Sequence, residues 1–151
     1  MNRFVYVTYI RSTMEKVWDA LTLPEFTRRY WAQTTQASDW TAGAAFSVST
    51  PDGRVWDTGE VLEIDRPRRL VMRWQNEGFP ELKVEGPTIV TYELEQQGSA
   101  VKLTLTQTSA VADSKVIGMM SQGWPMVFAS LKSLLETGAP IAESTKWPEG
   151  L

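Results

Sequence analysis

The sequence predicts an α+β domain in which an antiparallel sheet is covered on one face by a long C-terminal helix. Strand-like segments follow one another through short turns, which is typical of an antiparallel meander. Apolar side chains then recur at helical spacing near the end of the chain: Trp124, Val127, Phe128, Leu131, Leu134 and Leu135. A helix with so wide an apolar stripe needs a sheet to cover it.

The chain begins with a predicted strand, Phe4 to Ile10, in which Val and Tyr are frequent. Two short helices follow it. The first begins after a candidate N-cap, Ser12 or Thr13, and the second has Pro24 in its first turn. Alternating apolar and polar residues then predict strands at 44–50, 55–65, 70–75, 88–95 and 101–106.

Glycine and proline shape the predicted connections between these elements. Gly59 interrupts a long strand, which predicts a bulge or bend there. The segments 37–43 and 76–87 are predicted to be loops. The residues Pro51-Asp52-Gly53 have the composition of a hairpin turn.

The long helix is predicted from about Ser114 to Thr137, with Gly138 at the position after it. Pro125 lies inside this range and removes one helical hydrogen bond. We therefore expect a kink or break near Gln122–Gly123, with the continuous helix starting there.

The composition limits the chemistry available to the protein. The chain has 151 residues, without Cys or His, which excludes disulfides and thiolate catalysis and removes the commonest general base and metal ligand. We expect no cofactor and no metal site, and a binding role more than catalysis. Residues 1–138 are predicted to form one domain, followed by an irregular tail over 139–151.

Charge and hydropathy bear on location and partners. The formal net charge is -3 and the pI is about 5.0, whereas a nucleic-acid binder usually has a basic face. No apolar run approaches the ~20 residues that span a bilayer, and the segment Met1 to Tyr6 lacks the apolar core of a signal peptide. We expect a cytoplasmic protein without nucleic-acid or membrane partners.

A set of large side chains is predicted to lie between the sheet and the long helix. Two interpretations are open: an ordinary core, or the lining of an apolar pocket with polar points at the Tyr92 hydroxyl, Gln107 and Arg73. Trp31 either packs structurally with the short helices or stands at the pocket mouth. The candidate ligand-binding residues are Trp31, Met72, Trp74, Tyr92, Gln107, Met120, Trp124 and Phe128.

Charged residues give weaker signals. Four arginines surround one turn, at positions 66, 68, 69 and 73, and a soluble hairpin end is favoured over an anion site. The loop carboxylates Glu81 and Glu85 are placed where they border the predicted pocket, whereas Glu93 and Glu95 fall on a polar strand face. None of these patterns predicts a catalytic carboxylate pair.

Several short motifs together resemble a known family. They are Val17-Trp18-Asp19-Ala20-Leu21-Thr22, Gly59-Glu60-Val61-Leu62-Glu63-Ile64-Asp65-Arg66-Pro67, Thr91-Tyr92-Glu93-Leu94, Leu103-Thr104-Leu105-Thr106, Gly123-Trp124 and Leu135-Glu136-Thr137-Gly138. Their order over residues 3–138 resembles the Hsp90-ATPase-activator-like group of the START-like (helix-grip) superfamily. The resemblance implies a curved antiparallel sheet wrapped around the C-terminal helix, with a cavity that binds hydrophobic small molecules in many relatives.

The resemblance and the residues leave three functional hypotheses. The first is a binding protein for a hydrophobic or amphipathic small molecule held between the sheet and the C-terminal helix, against which a fully packed interior with no cavity would count. The alternative is a protein-interaction module, either a co-chaperone-like partner of Hsp90 or a homodimer. The third is an enzyme of the cyclase or hydrolase kind that works without His and relies on Asp, Glu, Tyr or Arg. The resemblance implies that many relatives have His where this chain has Gln107, so chemistry that depends on that His does not carry over.

Overall fold

One antiparallel sheet of seven strands organises the computed structural model, which describes residues 1–151. The strands are β1 (Arg3–Ile10), β2 (Thr35–Ser38), β3 (Ala45–Ser49), β4 (Val55–Asp65), β5 (Arg69–Asn76), β6 (Thr88–Gln97) and β7 (Ala100–Thr108). The helices are α1 (Met14–Thr22), α2 (Pro24–Tyr30), α3 (Pro80–Lys83) and α4 (Lys115–Thr137). The strand order is β1-β7-β6-β5-β4-β3-β2, so β1 and β2 form the two edges. The predicted α+β architecture is confirmed, including the two short helices after the first strand.

Helix α4 lies on the curved sheet and buries its apolar stripe there. Trp124, Phe128, Leu131 and Leu134 are all buried, and each such side chain contributes about 1.5–3 kcal/mol. The Ser114 hydroxyl accepts a hydrogen bond from the Ile117 N–H at 3.0 Å and caps the start of the helix. Neither α4 nor any other helix has the length and hydropathy needed to cross a membrane.

The predicted break at Gln122–Gly123 is wrong, because α4 runs without interruption from Lys115 to Thr137. Pro125 removes one hydrogen bond, at a cost of about 3 kcal/mol. The side chains on either side of it, Trp124 and Phe128, are anchored in the core. Their burial outweighs the loss, so tertiary packing overrides the local helix breaker.

Gly59 is not at the bulge that the sequence predicts for it. It pairs regularly with Trp74 of β5, and the register shift of β4 lies between Val61 and Glu63. A Cβ atom at position 59 would overlap the carbonyl oxygen of Arg73 and the ring of Phe46. The glycine therefore allows a close approach between an aromatic ring and the strand.

Two predicted loops contain regular structure. The segment 37–43 begins inside β2, which pairs with β3 and extends the sheet by one strand. The segment 76–87 contains α3, a single turn with Pro80 at its start. After α4, the residues Ala142–Ser144 form a short 3₁₀ helix.

Candidate functional site

The space between the centre of the sheet and α4 is filled by aromatic side chains. Trp74, Tyr92, Trp124 and Phe128 are at most 2% exposed. Their ring centroids lie 5.5–6.4 Å apart in tilted or edge-to-face contacts, which is the favourable range for aromatic pairs. Met72 is buried in the same cluster. The centre of the domain is therefore packed by the residues predicted to line a pocket.

Gln107 joins two members of this interior by hydrogen bonds. Its amide oxygen accepts from the indole N–H of Trp124 at 2.8 Å, and its amide nitrogen donates to the Thr88 hydroxyl at 3.0 Å. The side chain is completely buried. Gln107 thus fixes the orientation of the Trp124 ring, and both ends of its amide are occupied within the protein.

Open space lies beside this cluster, where α2, α4, β4 and β5 meet. Two adjoining hollows share Trp31, Met119 and Met120, and we call them together the side cleft. The first has a volume of about 130 Å³ and reaches Asp57 and Asn76. The second has about 160 Å³ and runs along α4, lined also by Gly123, Trp124 and Val127.

Trp31 forms the wall between the side cleft and the interior. Its ring stacks on Trp74 with a centroid distance of 6.0 Å and lies 5.4 Å from Trp124. The next two residues, Ala32 and Gln33, have φ angles of 48° and 59°, which is uncommon for residues with a Cβ atom. The Ala32 N–H donates to the carbonyl of Ser144 at 2.7 Å. The C-terminal segment therefore holds this strained turn, and with it Trp31, in place.

The floor of the first hollow is a buried pair of polar side chains. Asp57 and Asn76 lie opposite each other on β4 and β5, and each is 5% exposed. The Asn76 amide donates to Asp57 Oδ1 at 2.9 Å, while Asn76 Oδ1 has no partner in the protein.

Burial raises the pKa of Asp57 to about 7, and the charge of Glu77 adds to the rise. The nearby indole N–H of Trp74 and the hydrogen bond from Asn76 both lower the pKa of Asp57 and so offset part of this rise. The Trp74 indole is too far from the carboxyl, or too poorly aligned, to count as a hydrogen-bond donor to it. Burial also raises the pKa of the Tyr92 hydroxyl, which has no hydrogen-bond partner. The carboxyl group is therefore poised to change its charge near neutral pH.

The sequence patterns described above do not identify Asp57 as a buried carboxylate. The strand period gives a signal for its burial, because Asp57, Gly59 and Val61 lie on the same face of β4 and Val61 is buried. The walls of the side cleft give no such signal, since Trp56, Phe79 and Trp147 come from separate elements.

The other charged groups have ordinary structural roles. Arg66, Arg68, Arg69 and Arg73 form surface ion pairs with Asp19, Asp65, Glu63, Glu93 and Glu60, so the solvated hairpin is the interpretation that fits. Glu85 does not line the side cleft; it accepts a hydrogen bond from the Lys115 N–H at 2.7 Å and supports the start of α4. The carboxylate also accepts from the Ser114 hydroxyl at 2.5 Å.

Two other surface concavities are larger than either hollow, at about 400 and 380 Å³. The first is lined almost entirely by charged side chains of the hairpin region, including the paired Arg68 and Arg69. The second lies between Trp18, Trp40 and the Arg66–Asp19 ion pair. Neither contains a buried charged side chain, and the side cleft is therefore the better candidate for a specific site.

Comparison with known proteins agrees with this architecture. The model of the family described as Activator of Hsp90 ATPase homolog 1-like protein matches residues 11–136. Among curated proteins, none matches the chain at a significant level.

Three solved structures illustrate the likeness of fold. Protein MLL2253 from Mesorhizobium loti is 26% identical, with 88% of this chain and 96% of that chain covered and a TM-score of 0.74. The Aha1 dimer from Colwellia psychrerythraea is 19% identical, with coverages of 91% and 98% and a TM-score of 0.72. PFC0360w, an HSP90 activator from Plasmodium falciparum, is 21% identical, with coverages of 89% and 94% and a TM-score of 0.70.

Proposed function

The chain belongs to the family of Activator of Hsp90 ATPase homolog 1-like proteins, and on that premise we propose that it binds an apolar or amphipathic small molecule in the side cleft. The observation that carries the proposal is an apolar opening with a polar floor. Trp31, Met119 and Met120 form walls common to both hollows, and Asp57 with Asn76 forms the floor of one. Sites for small molecules usually combine apolar walls with a few placed polar groups.

The size of the side cleft limits the ligand. The two hollows together come close to the ~300 Å³ at which small-molecule sites begin. Met119 is 42% exposed at the opening, and methionine adapts readily to differently shaped partners. The central residues Met72, Trp74, Tyr92, Gln107 and Phe128 support the walls from behind. In this proposal Trp31, Met120 and Trp124 touch the ligand directly.

The proposal is tested by filling the side cleft from α4. Gly123 lines the second hollow, and a Cβ atom added there meets nothing within 4 Å. Gly118 offers a matched control, because it lies on the same helix with the same free space but outside the side cleft. A panel of apolar compounds is screened by thermal shift against the wild type, Gly123→Leu and Gly118→Leu.

A ligand at a hundredfold excess over its Kd stabilises the folded state by about 2.7 kcal/mol, which is a rise in Tm of about 5–10 °C for a domain of this size. We expect this rise in the wild type and in Gly118→Leu, and its loss in Gly123→Leu. A ligand that stabilises all three proteins equally would place the site elsewhere.

A second candidate function is a protein-interaction module, either a homodimer or a co-chaperone-like partner of Hsp90. The observation in its favour is the edge strand β1, where Val5, Val7 and Tyr9 are 44–46% exposed on one face. An unpaired strand edge beside exposed apolar side chains is suited to association. Light scattering tests the homodimer, and stimulation of Hsp90 ATPase turnover tests the co-chaperone. A monomer without such stimulation would contradict both forms.

A further inference from the structure

Asp57 is the one charged side chain among the buried residues, and it has no cationic partner. None of the ion pairs of the protein includes it. The basic groups beside the side cleft have acidic partners of their own, since Lys83 pairs with Glu77 and Arg54 with Asp52, each at 3.0 Å. Buried carboxylates are normally paired or coordinate a cation, because leaving water is costly for a lone charge.

The walls around this carboxyl group are aromatic. Trp31, Trp56, Phe79 and Trp147 line the same hollow. Phe79 and Trp147 meet the ring of Trp56 edge-on, with centroid distances of 5.2 and 4.9 Å. The faces of such rings attract organic cations, and the attraction grows when water is excluded. Trp56 already holds one cation in this way, because the Arg54 guanidinium lies 5.6 Å from the centre of its ring. The hollow thus combines aromatic walls with a buried carboxyl group.

The polar atoms of the floor call for a hydrogen-bond donor from outside the protein. Asp57 receives one hydrogen bond from Asn76, whose own Oδ1 has no partner. The lining contains no Lys or Arg. A divalent ion needs several oxygen ligands, and no group of three or more His, Cys, Asp or Glu side chains is placed to hold a metal ion. A single positive charge on an organic molecule suits this floor better.

We propose that the side cleft takes a primary amine carried on an apolar chain, with its ammonium group paired with Asp57 and its chain against the aromatic walls. This inference rests on the proposed function and adds the chemical class of the ligand. The raised pKa of Asp57 is that of a carboxyl group without a cationic partner, and a bound ammonium ion would lower this pKa and so displace the proton at mildly acidic pH. Two other titratable groups interact electrostatically with Asp57. Glu77 is itself paired with Lys83, and burial raises the pKa of Tyr92 far above neutrality.

The test compares hexylamine, hexanol and hexanoic acid, which each have six carbon atoms and differ in the end group. Binding to the wild type, Asp57→Asn and Asp39→Asn is measured by calorimetry at pH 8. Asp57→Asn keeps the size of the side chain. Asp39→Asn removes the same charge from an exposed position without an ion pair.

We expect the wild type to bind hexylamine about 10-fold more tightly than hexanol, as a charge-assisted hydrogen bond provides. Asp57→Asn should lose that advantage and keep its affinity for hexanol, which also shows that the variant is folded. Asp39→Asn should behave as the wild type. At pH 6, calorimetry in buffers of different ionisation enthalpy should record the release of nearly one proton on binding of hexylamine by the wild type.

The outcomes separate this inference from the proposed function. Equal affinity for all three probes, or an unchanged preference for hexylamine in Asp57→Asn, would overturn the amine assignment and leave an apolar site in place. Preference for hexanoic acid would overturn it in favour of a protonated Asp57 that donates to the ligand. Failure of every probe to bind would overturn the amine site and the proposed function of the side cleft together.

Discussion

Replacing Asp57 with Asn removes a titratable group from the interior while keeping the shape of the side chain. The Asp57 oxygen that accepts from the Asn76 amide at 2.9 Å becomes an amide oxygen that accepts equally well. The variant therefore isolates the free energy of ionising this carboxyl inside the protein. We expect Asp57→Asn to be more stable than the wild type at alkaline pH and similar to it in acid.

The magnitude follows from the pKa of Asp57. Burial raises it from 3.8 to about 7 in the folded protein, and each pKa unit corresponds to 1.36 kcal/mol. Between these two pKa values the folded state binds the proton more tightly than the unfolded chain does, so the stability of the wild type falls as pH rises. The full loss is about 4 kcal/mol, of which about 2 kcal/mol lies between pH 5.5 and pH 8.5.

Urea unfolding, followed by tryptophan fluorescence, measures both proteins over that pH range. The difference in the free energy of unfolding between Asp57→Asn and the wild type should grow by about 2 kcal/mol from pH 5.5 to pH 8.5. Asp39→Asn, which removes the same charge at an exposed position, is the control for the change in net charge alone. If the free energies of unfolding of Asp57→Asn and the wild type changed in parallel with pH, the pKa of the buried Asp57 carboxyl would not be raised in the folded protein.

Three further substitutions test the packing by urea unfolding. Tyr92→Phe should lower stability by less than about 1 kcal/mol or raise it, because the Tyr92 hydroxyl has no hydrogen-bond partner. The control Tyr30→Phe should cost about 1–2 kcal/mol, because it loses a 2.8 Å hydrogen bond from the Tyr30 hydroxyl to the Ala20 carbonyl. Equal costs for the two substitutions would contradict this prediction. Gly59→Ala should cost about 3 kcal/mol or more, because the new Cβ overlaps the Arg73 carbonyl and backbone cannot easily yield; a neutral effect would show that β4 can shift. Gly123→Ala should stabilise by about 0.5–1 kcal/mol, since the position is helical with free space around it; a loss of stability would mean that the glycine has a packing role.

The fold was predictable because its signals are local. The apolar stripe, the Ser114 cap and Gly138, with its φ of 86°, identify α4 without knowledge of its partners. Strand β2 was missed because its four residues, Thr35–Ser38, include only one apolar side chain. Pro125 predicted a helix break that does not occur, because its local penalty is outweighed by contacts with residues distant in sequence.

The candidate site was predictable only in part. The helical and strand periods correctly place Trp74, Tyr92 and Trp124 between the sheet and α4, but periodicity does not distinguish a packed side chain from one that lines open space. The side cleft depends on residues far apart in sequence, such as Trp56 and Trp147, which meet at a centroid distance of 4.9 Å. Their proximity is a tertiary property and has no signal in spacing.

The packing of the aromatic cluster explains why the open space lies at the side of the domain. Trp124 contacts Trp74, Tyr92 and Phe128 on its inner sides, and its indole N–H is bound by Gln107. The ring therefore has no free polar atom for a ligand and little freedom to move. What it still offers is apolar surface toward the second hollow of the side cleft. Recognition of a polar group in the proposed site would then fall to the floor, where the ionisable carboxyl of Asp57 is buried without a cationic partner.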